Sequence, residues 1–166
     1  MSQQEESHST TTATTAHATI DLFSVPRIGV ACFIVKNING SEHVLIGQRK
    51  GSHGKGSYQL PGGHLDYGET WEVCAEREIK EETNLDVCNL TFITCTNDVF
   101  EVEKRHYNTI FMRAYLKDEN QEAELLEPNK CEGWQWVSIH DLKNFSPLFL
   151  PLDNFLKLYP PQKIVQ

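Results

Sequence analysis

Apolar and polar positions change period several times along the chain. Residues 1–24 are rich in Ser, Thr and Gln and nearly lack large apolar groups. Such a stretch cannot bury enough surface to offset its ordering entropy, so a disordered tail is expected there. Ordered chain is expected from Val25 or Pro26. "RIGVACFIVKN" is apolar and β-branched and reads as a buried strand; "INGSEH" reads as a turn and "VLIGQRK" as a second strand. "GSHGKGS" is a Gly-rich loop, and "YQLPGG" a short strand ending in a permissive turn. From Thr70 the pattern becomes helical. Thr70 is a suitable N-cap, Glu72 lies in the first turn, and Asn84 can take the left-handed cap conformation. "LTFITCTNDVFEVE" and "HYNTIFMRAYLK" form an expected antiparallel pair. In the second, Tyr107, Thr109, Phe111, Arg113 and Tyr115 share one face, opposite Asn108, Ile110, Met112, Ala114 and Leu116. "GWQWVSI" is a further strand. "PLFLPLDNFLKLY" is a closing helix with Pro151 in its first turn, and 161–166 is a C-terminal tail. No internal repeat is present. The order of elements predicts one domain over 25–160, an α/β (α+β) sandwich with a mixed central sheet between helices.

Composition narrows the functions available. Of 166 residues, 15 are Lys or Arg and 23 are Asp or Glu, a net charge of -8. An acidic surface repels phosphate backbones, so a nucleic-acid polymer is not the expected partner. A small phosphorylated ligand stays open, because a divalent metal inverts local charge. Five cysteines without a CxxC pair point away from a disulfide framework or a zinc site and toward reduced thiols. No apolar run is long enough to span a bilayer, and the N-terminal stretch has neither signal-peptide nor transit-peptide character. The expected location is cytoplasmic, with nuclear entry by diffusion open and no membrane partner.

The densest charge lies in "REIKEE", Arg77 to Glu82. On a helix, Glu78 and Glu82 share one face and Glu81 borders it. Like charges at that spacing disfavour a helix by roughly 0.2–0.5 kcal/mol per pair. A solvated face, eased by Lys80 and Arg77, is the plain reading. Three features favour a ligand. Gly62 and Gly63 allow close backbone approach. Glu69 and Arg77 are spaced to close an ion pair that fixes loop against helix. Carboxylates on one face are what Mg2+ takes, together with waters and substrate phosphates.

Written from Gly63, the run is G-x5-E-x7-R-E-I-x-E-E-x-N-L. It resembles the Nudix box. Gly63, Glu69, Arg77, Glu78, Ile79, Glu81, Glu82 and Leu85 match, and Asn84 stands in place of the last glycine. Asn is the next-best residue for that left-handed turn. The likeness extends over "LPGGHL", "EPNKCEGWQWV" and "PLFLPLDNF", from Pro26 to about Tyr159. It is similar to the small cytosolic Nudix diphosphatases of animals and plants, a group acting on thiopurine nucleotides, oxidised nucleotides and geranyl diphosphate.

The resemblance implies Mg2+, with Mn2+ as a substitute, held by Glu78, Glu82 and Glu81, the same glutamates being the catalytic set. Glu82 is the first choice as general base. Gly62 and Gly63 should lie along the phosphates, with Glu69 and Arg77 holding loop and helix in register. His64 either touches phosphate or shapes the loop. Arg49 and Lys50 either steer phosphates or are ordinary surface. Thr109, Phe149 and Leu152 are candidate pocket walls. Relatives often carry Phe-Trp where this chain has Phe149-Leu150, so a less aromatic pocket is expected. Trp134 and Trp136 read as core or homodimer surface, and with the resemblance they imply a homodimer; His53, His106 and the cysteines read as structural. The implied function is hydrolysis of (d)NTPs, including modified guanine nucleotides such as 8-oxo-dGTP, to nucleoside monophosphate and pyrophosphate. A prenyl or other small diphosphate is the alternative, and a non-catalytic binding module a third.

Overall fold

The computed structural model describes residues 25–166. The tail expected over 1–24 lies outside the described residues. Seven strands form one mixed sheet: β1 Arg27–Ile38, β2 Ser41–Arg49, β3 Tyr58–Gln59, β4 Gly62–His64, β5 Val87–Phe100, β6 Arg105–Leu116 and β7 Cys131–Ser138. Two helices flank it, α1 Trp71–Thr83 and α2 Leu150–Leu158. The main strand order is β3-β2-β1-β6-β5, with β4 paired to β1 and β7 to β2. β1 and β6 run parallel, Arg27 beside Tyr107 through Val35 beside Tyr115. The neighbouring β5–β6 pair is antiparallel, as its alternation predicts.

Strand alternation divides the core in two. Val30, Cys32 and Ile34 of β1 pack with Cys74, Ala75 and Ile79 of α1. Phe33 and Val35, pointing the other way, pack with Phe111, Leu152 and Phe155. The central sheet therefore lies between helices, as expected.

Local chemistry sets the ends of α1. The Thr70 hydroxyl accepts a hydrogen bond from the Val73 amide at 3.3 Å, and Asn84 caps the C-terminus with φ 57°. The turn expected over "INGSEH" shrinks to Asn39 and Gly40, at φ 53° and 81°. Two left-handed residues close a tight hairpin, so β2 starts at Ser41, directly opposite Ile38. The closing helix is shorter than expected, beginning at Leu150. Residues 161–166 are not a loose tail. Pro161–Ile164 form a 3-10 turn, Ile164 is fully buried beside Phe33 and Phe155, and its carbonyl accepts from Arg113 at 3.3 Å. One buried aliphatic side chain anchors that segment. No described helix is long and apolar enough to cross a membrane.

Candidate active site

The site forms where β4 runs into the loop before α1. Gly62 has φ 151° and pairs across from Ala31; a Cβ there would overlap the Val30 carbonyl oxygen. A Cβ on Gly63 would overlap the Glu78 carboxylate. The two glycines thus bring a bare backbone against the helix face that carries the acids. Arg77 locks this arrangement. Its Nε and Nη2 donate to the two Glu69 oxygens at 2.7 and 2.9 Å, Nη1 donates to Glu78 Oε1 at 2.8 Å, and Nη2 also donates to the His64 carbonyl at 3.1 Å. The ion pair expected between Glu69 and Arg77 is present and bidentate. The Arg77 guanidinium holds the Glu69 carboxyl down to about 2, and that carboxylate in turn raises the Arg77 pKa.

Glu78 and Glu82 both line a cavity of about 310 Å³. Glu82 is only 7% exposed; its Oε2 accepts from the Gly62 amide at 3.0 Å. Burial pushes its carboxyl up to about 8, against that amide, with Glu78 adding repulsion. Burial also raises Glu78, against the pull of Arg77. Glu81 is not brought to the cavity. It lies about 100° round the helix from Glu82, its side chain is 56% exposed, and its Oε2 stands 3.5 Å from Arg77 Nη1.

Among the described residues, no three His, Cys, Asp or Glu side chains converge into a ready cation cage. The pair Glu78 and Glu82 still fits Mg2+, which binds through one or two carboxylates and completes its shell with water and phosphate. Two hard-oxygen donors, one deeply buried and raised by that burial, are chemically suited to a divalent cation.

The cavity behind the acids is aromatic. Phe100, Tyr107, Phe111, Phe149 and His53 line it. His53 packs its ring 4.5 Å from Phe100 and 5.3 Å from Phe149. It belongs to the site, contrary to the structural role expected from sequence; it reaches the wall because its loop folds back over the β5–β6 end. Leu150, first residue of α2, does not line the cavity, so Phe149-Leu150 does not leave a pocket poor in rings. Phe149 and Leu152 are both in the wall, as expected.

Arg49 lines the cavity too, with two of its five N–H hydrogens bonded to protein. Nε donates to the His53 carbonyl at 2.8 Å, Nη1 donates to the Gln59 carboxamide oxygen, and the guanidinium lies 4.1 Å from the Phe149 ring centre. These contacts brace the wall, while Lys50 pairs with Glu132 at 3.4 Å. His64 lines the cavity with Nε2 3.3 Å from the Tyr107 hydroxyl. Burial and nearby arginines lower the pKa of both His53 and His64. Thr109 lines the cavity and donates to Asp98 Oδ2 at 2.6 Å. Trp134 packs against the α1 side of the core and donates to the Glu82 carbonyl at 3.2 Å.

Sequence reasoning missed Gln59, Phe100, Tyr107, Lys130 and Asp98. Tyr107 was within reach, since it shares the β6 face of Thr109. Phe100 and Asp98 share a β5 face by the same alternation. Gln59 and Lys130 carry no local signal; only the fold brings them in.

Two acids on one helix face, a bare glycine backbone beside them and a ring-lined cavity behind make a single site. The chain belongs to the NUDIX family: the NUDIX domain model matches residues 25–159. It is 31% identical over 125 residues to a protein of Vibrio atlanticus named NAD-capped RNA hydrolase NudC, covering 74% of this chain and 42% of that one. It is 41% identical over 64 residues to an ADP-ribose pyrophosphatase of Methanocaldococcus jannaschii, covering 39% of this chain and 36% of that one. The chain thus spans less than half the length of these relatives. Among solved structures it resembles a MutT NUDIX hydrolase from Burkholderia pseudomallei, with TM-score 0.66, 22% identity, and 86% and 99% of the two chains covered. It also resembles the NUDIX domain of Shewanella oneidensis NrtR complexed with ADP ribose, with TM-score 0.66, 17% identity, and 81% and 86% covered. These likenesses agree on a Nudix fold, a mixed sheet flanked by helices.

Proposed function

We propose that the chain is a Mg2+-dependent diphosphatase that converts nucleoside triphosphates, modified guanine nucleotides included, to nucleoside monophosphate and pyrophosphate. The observation that carries this reading is the Glu78–Glu82 pair opening onto a ring-lined cavity that also holds polar groups, Gln59 and Thr109. Rings stack on a base, and buried polar groups suit a base edge. A prenyl chain would offer the Gln59 NH2 end no acceptor, at a cost.

Glu78 and Glu82 would hold the cation, with Mn2+ as a substitute. When bound, Mg2+ supplies positive charge that offsets the phosphate oxygens and acidifies water. The Gly62–Gly63 backbone leaves room for the phosphates, and Lys130 adds a cationic side chain at the rim. Glu82, held beside the Gly62 amide, would accept the proton of the attacking water. The water oxygen bonds to phosphorus, the α–β anhydride bond breaks, and pyrophosphate leaves. Arg77 acts at a distance, holding Glu69, Glu78 and the His64 carbonyl so that loop and helix keep one spacing.

The relatives' names point to nucleosides joined through a pyrophosphate, as in ADP-ribose and NAD caps, so ADP-ribose belongs in the test beside the triphosphates. The test is kcat/KM for dGTP, 8-oxo-dGTP, ADP-ribose and geranyl diphosphate on one preparation. The expected result is a value for the triphosphates at least about tenfold above the other two, as a pocket built to hydrogen-bond its ligand demands. A geranyl diphosphate value more than about tenfold above both triphosphates overturns the choice.

A further inference from the structure

Behind Thr109, at the β5–β6 end of the cavity wall, lies a buried polar cluster with no part in the bond-breaking step. Thr96 and Thr109 are direct cross-strand partners, and Asp98 lies two residues on, facing the same side. Asp98 is fully buried. Its Oδ2 accepts from the Thr96 hydroxyl at 2.9 Å and from the Thr109 hydroxyl at 2.6 Å; its Oδ1 accepts from the Asn154 carboxamide of α2 at 2.8 Å. Three donors from three elements fix this carboxylate.

The consequence falls on Thr109. A hydroxyl has one hydrogen to give and lone pairs to accept with. The hydrogen of Thr109 is taken by Asp98, so what remains is an acceptor. Thr109 lines the cavity, and Gly29 offers no side chain to cover it: a Cβ at Gly29 would stand 3.7 Å from the Thr109 oxygen. Across the wall, Gln59 is fixed in the opposite sense. Arg49 can only donate, so the Gln59 carboxamide oxygen is occupied and its NH2 end is left for a ligand.

We propose that Thr109, oriented by Asp98, is a specificity-determining hydrogen-bond acceptor that selects nucleobases carrying an N–H donor on the edge placed in this cavity. Asp98 is a positioning residue, acting only through Thr109. With the Gln59 amide as the matching donor, the site reads an edge that pairs an acceptor with a donor, as in an oxopurine lactam. This inference rests on the nucleoside-triphosphate reading above and says which bases that site takes.

The test compares 2′-deoxyinosine triphosphate, which has a ring N–H beside a carbonyl, with 2′-deoxynebularine triphosphate, whose edge has no donor. Geranyl diphosphate serves as the control. The expected wild-type kcat/KM ratio of deoxyinosine to deoxynebularine is at least about tenfold and lies mainly in KM, as for other sites built to hydrogen-bond a ligand. Thr109→Val, nearly the same shape without the hydroxyl, should bring the ratio within about threefold, and Thr109→Ser should restore it. Asp98→Asn, which offers Thr109 a donor and frees its hydrogen, should also shrink the ratio. A wild-type ratio near one, or a Thr109→Val ratio equal to wild type, overturns the proposal. An Asp98→Asn protein that is folded and keeps the full ratio overturns the role of Asp98. Failure to hydrolyse either nucleotide, with turnover of geranyl diphosphate, refutes the underlying nucleotide reading instead.

Discussion

Glu82 is the deeply buried acid of the cavity, 7% exposed. Replacing it with Gln keeps its size and removes the proposed ligand and base, and kcat should fall about 10²–10⁴-fold. Its stability effect has the opposite sign. The folded-state carboxyl sits at about 8, above its ordinary value of 4.5. As pH rises, the unfolded chain therefore releases the proton first. The stability this group contributes is full below about 4.5, declines through neutrality and is lost above about 8. Metal-free Glu82→Gln should accordingly melt higher than wild type at pH 8.5, with little difference at pH 4.5; calorimetry in chelator checks this, and equal melting temperatures at both pH values count against a buried, raised carboxyl. Phe149 supplies a ring rather than charge. Phe149→Ala should cost about 1–3 kcal/mol, by analogy with base–aromatic stacking, and steady-state kinetics should show it in KM with kcat little changed.

At the scale of elements, much was legible in the sequence because local chemistry dictated it. The α1 boundaries follow from Thr70 and Asn84, and the acidic face from the spacing of Glu78 and Glu82. The Glu69–Arg77 pair was legible for the same reason, since a loop entering a helix has few ways to turn. Glu81 shows the limit of spacing: three residues from Glu78, it borders the active face, yet Arg77 and solvent hold it outside the cavity. Ile164 was missed because Ile164 and Val165, two apolar residues between Lys163 and Gln166, are too short a run to set a period. It now predicts a stability effect. Ile164→Ala should destabilise by about 2–5 kcal/mol, the usual range for a fully buried aliphatic side chain. Urea unfolding measures it, and a shift below half a kcal/mol would mean the segment does not pack.

The whole molecule joins what its sequence keeps apart. His53, Gln59, Phe100, Tyr107, Lys130 and Phe149 span nearly a hundred residues of chain and meet only because β1 pairs with β6 and α2 packs by β5. No motif search collects them, and for that reason the substrate end of the site was less legible than the acid end. Assembly belongs to this scale as well. Trp134 and Trp136, read as core or homodimer surface, both pack partly buried against the core; among the outward rings, Trp71 and Phe92, 39% and 50% exposed, stand 5.3 Å apart. A homodimer still requires light scattering to give twice the 19.0 kDa chain mass at micromolar concentration, and a single-chain mass rules it out.

The roles proposed for Glu78 and Glu82 predict hydrolysis between the α- and β-phosphates of a nucleoside triphosphate. Phosphorus-31 NMR of dGTP turnover with Mg2+ reads this directly, because each product has its own resonance. For the wild-type protein the account requires dGMP and pyrophosphate to appear together, in equal amounts, with the rate abolished by chelator and reduced at least about a hundredfold in Glu82→Gln. Appearance of dGDP with orthophosphate, or unchanged turnover by Glu82→Gln, would contradict it.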